Sequence, residues 1–182
     1  MTWAAGPTPL KLARAIRLCG FMGMLLAGAA QAQTDVSEYA LKAAFIYNFA
    51  KFIDWPKPSD GLLHLCVAAE ETFEGEFDKL SQKVTGGLRL QVDHPKAPEM
   101  GAQCQIVFIA DSEADSLPRW VQLSREKGAL TVSDAPGFLD RGVMIEMQME
   151  DERVSFDVNM TAARAARLDI SSRLLRLAKR VY

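Results

Sequence analysis

Three strand-length apolar runs, Leu62 to Ala69, Gln105 to Ala110 and Ala129 to Val132, are set apart by stretches with helical spacing. None alternates strictly between polar and apolar, so each reads as a strand covered on both faces. The QIVFIA run is the strongest of them, rich in β-branched residues. Between the first two, Glu70 to Gln82 spaces Phe73, Phe77 and Leu80 as one stripe of a helix, and Leu88, Leu90 and Val92 then alternate with polar residues as in a half-exposed strand near an edge. Leu117, Trp120, Val121 and Leu123 give a second helix, with Gly128 as its stop. Strands alternating with helices predict a mainly parallel sheet with right-handed crossovers and helices on both faces, a three-layer α/β sandwich.

After Arg141-Gly142 the period becomes two. Val143, Ile145, Met147 and Met149 face one way, and Val154, Phe156 and Val158 repeat the pattern beyond an acidic turn at Asp151-Glu152. This predicts an antiparallel C-terminal β-hairpin with one wet face. Asn159 or Thr161 is expected to cap a short Ala-rich helix, and Asp169 a last one. That helix would bury Ile170, Leu174, Leu177 and Val181 and set Arg173, Arg176 and Arg180 in a basic line opposite.

Ahead of the first strand, Glu38 to Pro56 reads as a long apolar helix stopped by Trp55-Pro56, with Asp35 and Glu38 as a capping box. Leu41, Phe45, Phe49 and Phe52 share one side and are expected on the sheet. Small Ala40, Ala43, Ala44 and Ala50 lie opposite, beside Tyr47 and Lys51. A helix without a clean polar face is usually covered on more than one side. The alanine side can admit either the chain's own C-terminal helix or a second copy, and in the second case Tyr39, Ala44 and Tyr47 are the expected self-association residues of a homodimer.

The first 32 residues have the form of an export signal: Lys11, Arg14 and Arg17, then a short apolar run from Leu18 to Ala29, then Ala30-Gln31-Ala32. Cleavage near Ala32 would leave residues 33–182 as a single domain, long enough for one core. Loss of the three basic residues takes the net charge from −2 to −5, which excludes a basic footprint for nucleic acid. The charge is uneven: residues 159–182 carry six basic groups and one acidic, which suits either the C-terminal end of a helix or a docking surface for an acidic partner or anionic lipid. Cys66 and Cys104 remain after cleavage. They are either two buried thiols or a disulfide, and export favours the disulfide.

Catalytic and cofactor patterns are missing from the sequence. The first strand ends in Ala68-Ala69-Glu70-Glu71, without the glycines that let a backbone approach a pyrophosphate and with two charges that repel one. His64 and Cys66 share a strand face, but a structural histidine suits an apolar strand better than a metal ligand, and no metal or cofactor is expected. Ser171-Ser172 reads as a helix start, not a nucleophile. Phe138, at the tip of Pro136-Gly137-Phe138, would be an apolar anchor if exposed, although a packed turn residue is the commoner case.

Three motifs go further: Tyr39 to Pro56 (YALKAAFIYNFAKFIDWP); Pro136-Gly137-Phe138 with the hairpin return from Val154 to Asn159; and Asp169 to Ala178 (DISSRLLRLA). Together they closely resemble the YfiR family of periplasmic regulators. The resemblance implies a non-enzymatic protein that binds the periplasmic sensor domain of an inner-membrane diguanylate cyclase and holds it inactive. Release, helped by an outer-membrane lipoprotein or by envelope stress, would raise cyclic di-GMP and promote biofilm growth. It implies that Cys66 and Cys104 take the family's disulfide positions. Given such a partner, the basic line and the Pro-Gly turn make Phe138, Ser171, Arg173, Arg176 and Arg180 the expected partner-binding residues. Met144, Met147 and Met149 stand where some members carry a second cysteine pair, and Arg167 stands where the family often has glycine. The competing expectation is a periplasmic small-molecule binding module, with its pocket at the C-terminal edge of the sheet.

Overall fold

The computed structural model describes residues 1–3, 37–55, 60–70, 73–101 and 103–182. Residues 4–32 of the expected leader, Asp35, Pro56 and Pro58 lie outside the described residues. Residues Val36–Tyr182 form one compact unit. Its elements are α1 (Glu38–Lys51), β1 (Leu62–Ala68), β2 (Val84–Thr85), β3 (Leu88–Asp93), β4 (Ile106–Ile109), α2 (Leu117–Lys127), β5 (Leu130–Ser133), β6 (Ile145–Glu150), β7 (Arg153–Val158), α3 (Met160–Ala165), α4 (Ser172–Leu175) and β8 (Arg180–Val181).

The strands make one sheet in the order β2-β3-β1-β4-β5-β6-β7-β8. Strands β3, β1, β4, β5 and β6 are parallel, β7 is antiparallel to β6, and β8 is parallel to β7. The expected α/β sandwich with an antiparallel C-terminal hairpin is thus observed. All three apolar runs are strands, and β1 is their hub. Leu63, Leu65 and Val67 join the core beneath α1, whereas Cys66 and Ala68 join a second core with Leu117 and Trp120 of α2. The hairpin keeps its expected register, Ile145 facing Val158 and Met147 facing Phe156. Asp151 and Glu152 both take left-handed φ angles, 47° and 61°, which give a two-residue turn the twist of its strands.

Three expectations are corrected. Residues 73–80 form two 3-10 turns, Phe73–Gly75 and Asp78–Leu80, instead of one α-helix. Gly75 at φ 70° breaks the helical path, yet Phe73, Phe77 and Leu80 are all buried as their spacing demands. The buried face of α1 is turned toward its small residues: Ala43, Ile46, Phe49 and Ala50 are buried, while Phe45 and Phe52 are half-buried. The two alanines let the helix backbone approach the sheet closely, which pushes Phe45 and Phe52 to its flank. Finally, the last helix stops at Leu175 and the chain becomes β8, so Leu177 and Val181 are exposed instead of buried. The free edge of β7 offers backbone partners that a further helical turn would leave unpaired.

The helix starts follow the chemistry of short polar side chains. Ser37 caps α1 by accepting from the Ala40 N–H at 3.2 Å, and Asn159 caps α3 from the Ala162 N–H at 2.9 Å. Inside α1, Lys42 is buried and donates to Asp134 at 2.5 Å and also to Glu38, so it ties the helix to the end of β5. Burial alone lowers its pKa, but the hydrogen bonds and charges of Asp134 and Glu38 outweigh that and hold it above the ordinary lysine value. A raised lysine pKa adds stability that is complete below the unfolded value and is lost only as pH climbs through the folded one. On the alkaline side, the lysine's share of this tie is therefore lost only well above neutral pH.

Cys66 in β1 and Cys104 ahead of β4 form a disulfide with their Cα atoms 5.8 Å apart, 38 residues apart in sequence. A loop of that length is worth about 4 kcal/mol on the chain-entropy model. The Cys66→Ala, Cys104→Ala double variant is expected to unfold at clearly lower denaturant, by up to about that amount. An unchanged midpoint would show that the bond adds nothing to stability.

Candidate functional site

The half-buried flank of α1 meets β7 and α4. Phe45, Phe49 and Phe52 from the helix, Val154 and Phe156 from the strand, and Leu174 and Leu177 from the C-terminal segment line a groove of about 440 Å³. Aromatic contacts set its floor. Phe49 meets Phe156 edge to face at 5.0 Å, and Phe45 meets the same ring at 6.3 Å. Ile53 bridges to Ile170, and the Ser171 N–H donates to Phe52 O at 3.0 Å, so the end of α1 and the start of α4 are stitched together. Phe52 also walls a polar hollow of about 450 Å³ lined by Lys51, Asp54, Asp169, Ser171, Ser172 and Arg173.

The partner-binding residues expected from the sequence fall into three groups. Ser171, Arg173 and Arg176 sit together around α4. Ser171 is its N-cap, accepting from the Arg173 N–H at 3.2 Å, and both arginines are exposed with no ion pair among the described residues. Arg180 lies in β8 and donates to Asp157 from Nε at 3.1 Å and Nη2 at 2.5 Å. The hydrogen bonds to Asp157 hold its guanidinium pKa above the ordinary value. Phe138 is only 3 % exposed. Its ring belongs to the core beneath α2, with Arg141 stacked 5.1 Å away, so it presents no anchor at the surface.

The self-association residues also divide. Tyr39 stacks against Phe73 at 4.6 Å, and the Tyr47 hydroxyl donates to Val84 O at 2.8 Å, so both serve the fold. Ala44 stays exposed. His64 is held by Asp93, with Nδ1 2.7 Å from the carboxylate.

Sequence reasoning missed the two carboxylates of the hairpin's other face. Glu146 and Asp157 are 6 % and 1 % exposed, on a face read as wet. Glu146 accepts from the Leu139 N–H at 2.8 Å. Asp157 is covered because Arg180 returns over it from 23 residues on, a contact with no local signal. A second crevice, of about 630 Å³, opens at the C-terminal ends of β1 and β3, with Glu70, Asp78, His94, Lys96 and Glu113 in its lining.

A family model described as YfiR/HmsC-like matches residues 39–179, from the first turn of α1 to the edge of β8. The chain belongs to that family. No curated protein matches it. Among solved structures, this YfiR/HmsC-like chain is similar to a conserved domain protein from Vibrio cholerae O1 biovar El Tor, with a TM-score of 0.55 and 10 % identity over 80 % of this chain and 60 % of that one. It is also similar to the ligand-free, open form of a substrate-binding protein with adhesive properties from Clostridium difficile. There the TM-score is 0.50 and the identity 10 %, over 76 % of this chain and 57 % of that one. The chain thus spans less than two thirds of either protein, and at such identity the likeness is one of fold.

The groove separates residues that hold the fold from residues that only border it. Phe49→Ala is expected to cost about 3–5 kcal/mol, as for a fully buried phenylalanine. Leu177→Ala, at a side chain 66 % exposed, should change stability by less than about 0.5 kcal/mol. Thermal or chemical denaturation of the two variants measures the contrast.

Proposed function

We propose that this chain is an exported, non-enzymatic regulator. It binds the periplasmic sensor domain of an inner-membrane diguanylate cyclase and holds the cyclase inactive, which lowers cyclic di-GMP and restrains biofilm growth. An outer-membrane lipoprotein is the partner that draws it away. Family membership over residues 39–179 carries this reading. The groove supports it with an apolar floor to exclude water, and the α4 segment that borders it carries two exposed arginines without an ion pair, Arg173 and Arg176, to select an acidic partner. No chemistry is required of the regulator. A protein that prefers the inactive form of the cyclase about 100-fold shifts its equilibrium by about 2.7 kcal/mol.

The second reading, a periplasmic small-molecule binding module, rests on the crevice that the charged loops after β1 and β3 enclose. Such positions, at the C-terminal ends of parallel strands, are where α/β sheets bind ligands. Here the lining is dominated by carboxylates, and its histidine is already bonded to Asp78 at 2.8 Å.

Deletion of the gene in a strain that expresses the cognate cyclase is expected to raise cellular cyclic di-GMP. An unchanged level excludes the regulator. The Arg173→Glu, Arg176→Glu pair should weaken capture of the cyclase sensor domain at least about tenfold, or 1.4 kcal/mol, with an unaltered melting temperature.

A further inference from the structure

Helices α2 and α3 end against each other. Gly128, at φ 70°, stops α2, and a Cβ there would lie 3.3 Å from Ala166 O at the end of α3. Beside the two ends is a hollow of about 530 Å³, whose charged lining is Arg125, Lys127 and Arg167 with Asp54 and Glu126. Arg164 is exposed just ahead of it, and its carbonyl accepts from the Arg167 N–H at 3.0 Å. All four cations are exposed, and none has a side-chain hydrogen bond or ion pair among the described residues.

Helix capping does not account for them. Cations suit a helix C-terminus, but here main-chain amides take the closing carbonyls. Ser124 O accepts from Gly128 and Ala129, Ala163 O from Ala166 and Leu168, and Arg164 O from Arg167. Arg167 is the sharpest case. Its φ of 60° lies in the left-handed region, where a side chain is strained and glycine is not. The fold thus bears an arginine at a position that disfavours one and gains no contact from its guanidinium.

We infer that this end of the molecule docks on an anionic lipid surface, with Arg125, Lys127, Arg164 and Arg167 set among the headgroup phosphates. Charge complementarity selects the occupant. Residues 159–182 carry a net +5 and residues 33–158 a net −10. A chain so divided turns its basic end toward a negative surface. A protein partner would need an apolar anchor in a dry pocket, and this hollow offers none. Ala166 and Leu168 are buried in the fold, and its exposed lining is Ala165 and charged groups. Headgroup adsorption needs no anchor, because each Lys or Arg near the surface adds its own attraction. The docking needs no cyclase. Its failure leaves the regulator reading standing, and an unchanged cyclic di-GMP level on deletion leaves the docking standing.

Flotation of the purified protein with vesicles tests this. Mixed phosphatidylglycerol–phosphatidylcholine vesicles are compared with phosphatidylcholine alone. The protein is expected to float with the anionic vesicles only, and at least about tenfold less when salt rises from about 0.1 M to about 0.5 M, because screening shortens the reach of its charges. The Arg125→Glu, Arg167→Glu pair should lower binding at least about tenfold. Arg167→Gly should lower it at least about threefold while the melting temperature stays the same or rises, since glycine is at ease at that φ. A role confined to the fold would move the melting temperature down and leave binding alone. No flotation, equal flotation with neutral vesicles, or binding undiminished in both variants overturns the proposal. Retention on a polyglutamate resin without vesicle binding assigns the patch to an acidic protein and overturns it equally.

Discussion

A parallel sheet has to be covered on both faces, and nearly everything else in this molecule follows from how unequally that is done. On one side, α1 lies close because Ala43 and Ala50 meet the strands, with Ile46 and Phe49 between them. On the other, α2 brings Leu117 and Trp120 against a smaller core that also holds Phe138 and the Cys66–Cys104 bond. Strand β1 contributes to both cores through alternate side chains, so its sequence is apolar without interruption from Leu65 to Ala69. Close approach of α1 leaves Phe45 and Phe52 at the margin. The groove is thus a by-product of how the spine is seated.

Much of this was legible from residue order. Continuous apolar runs predict buried parallel strands, and strict alternation from Val143 predicts the hairpin; both depend on near neighbours in sequence. The failures have a common cause in distant contacts. Leu174, Leu177 and Val181 have helical spacing, but the open edge of β7 decides the matter and turns the end of the chain into a strand. Asp157 alternates with Phe156 and Val158 as a solvated residue would, and only the return of Arg180 makes it buried. Of the candidate site, the α4 residues were readable as a motif. The groove was not, because one wall comes from α1 and the others from β7 and α4, which follow it only after more than half the chain.

Two charged residues carry much of the long-range wiring. Lys42 joins the first helix to the end of β5, and Asp157 joins the last strand to the hairpin. Each is buried beside an opposite charge, a combination that is costly to break from one side because the abandoned partner stays out of water. Such pairs add less to net stability than to the choice among alternative arrangements of the same apolar surfaces. They fix where α1 and β8 begin their contact with the sheet, which hydrophobic packing alone leaves loosely specified.

Strand β8 follows every other strand of the sheet in sequence, and this gives the fold an order in time. Synthesis proceeds from the N-terminus, so strands β1 to β7 are available for pairing before Arg180 arrives. Until then β7 is a bare edge beside an apolar wall, with a carboxylate that no arginine has yet neutralised. Bare edges recruit strands from other chains. The unpaired charge of Asp157 on that edge is the kind of inward-facing charge that discourages such recruitment, and it becomes a structural bond only when Arg180 reaches it. One residue thus protects the unfinished sheet and closes the finished one.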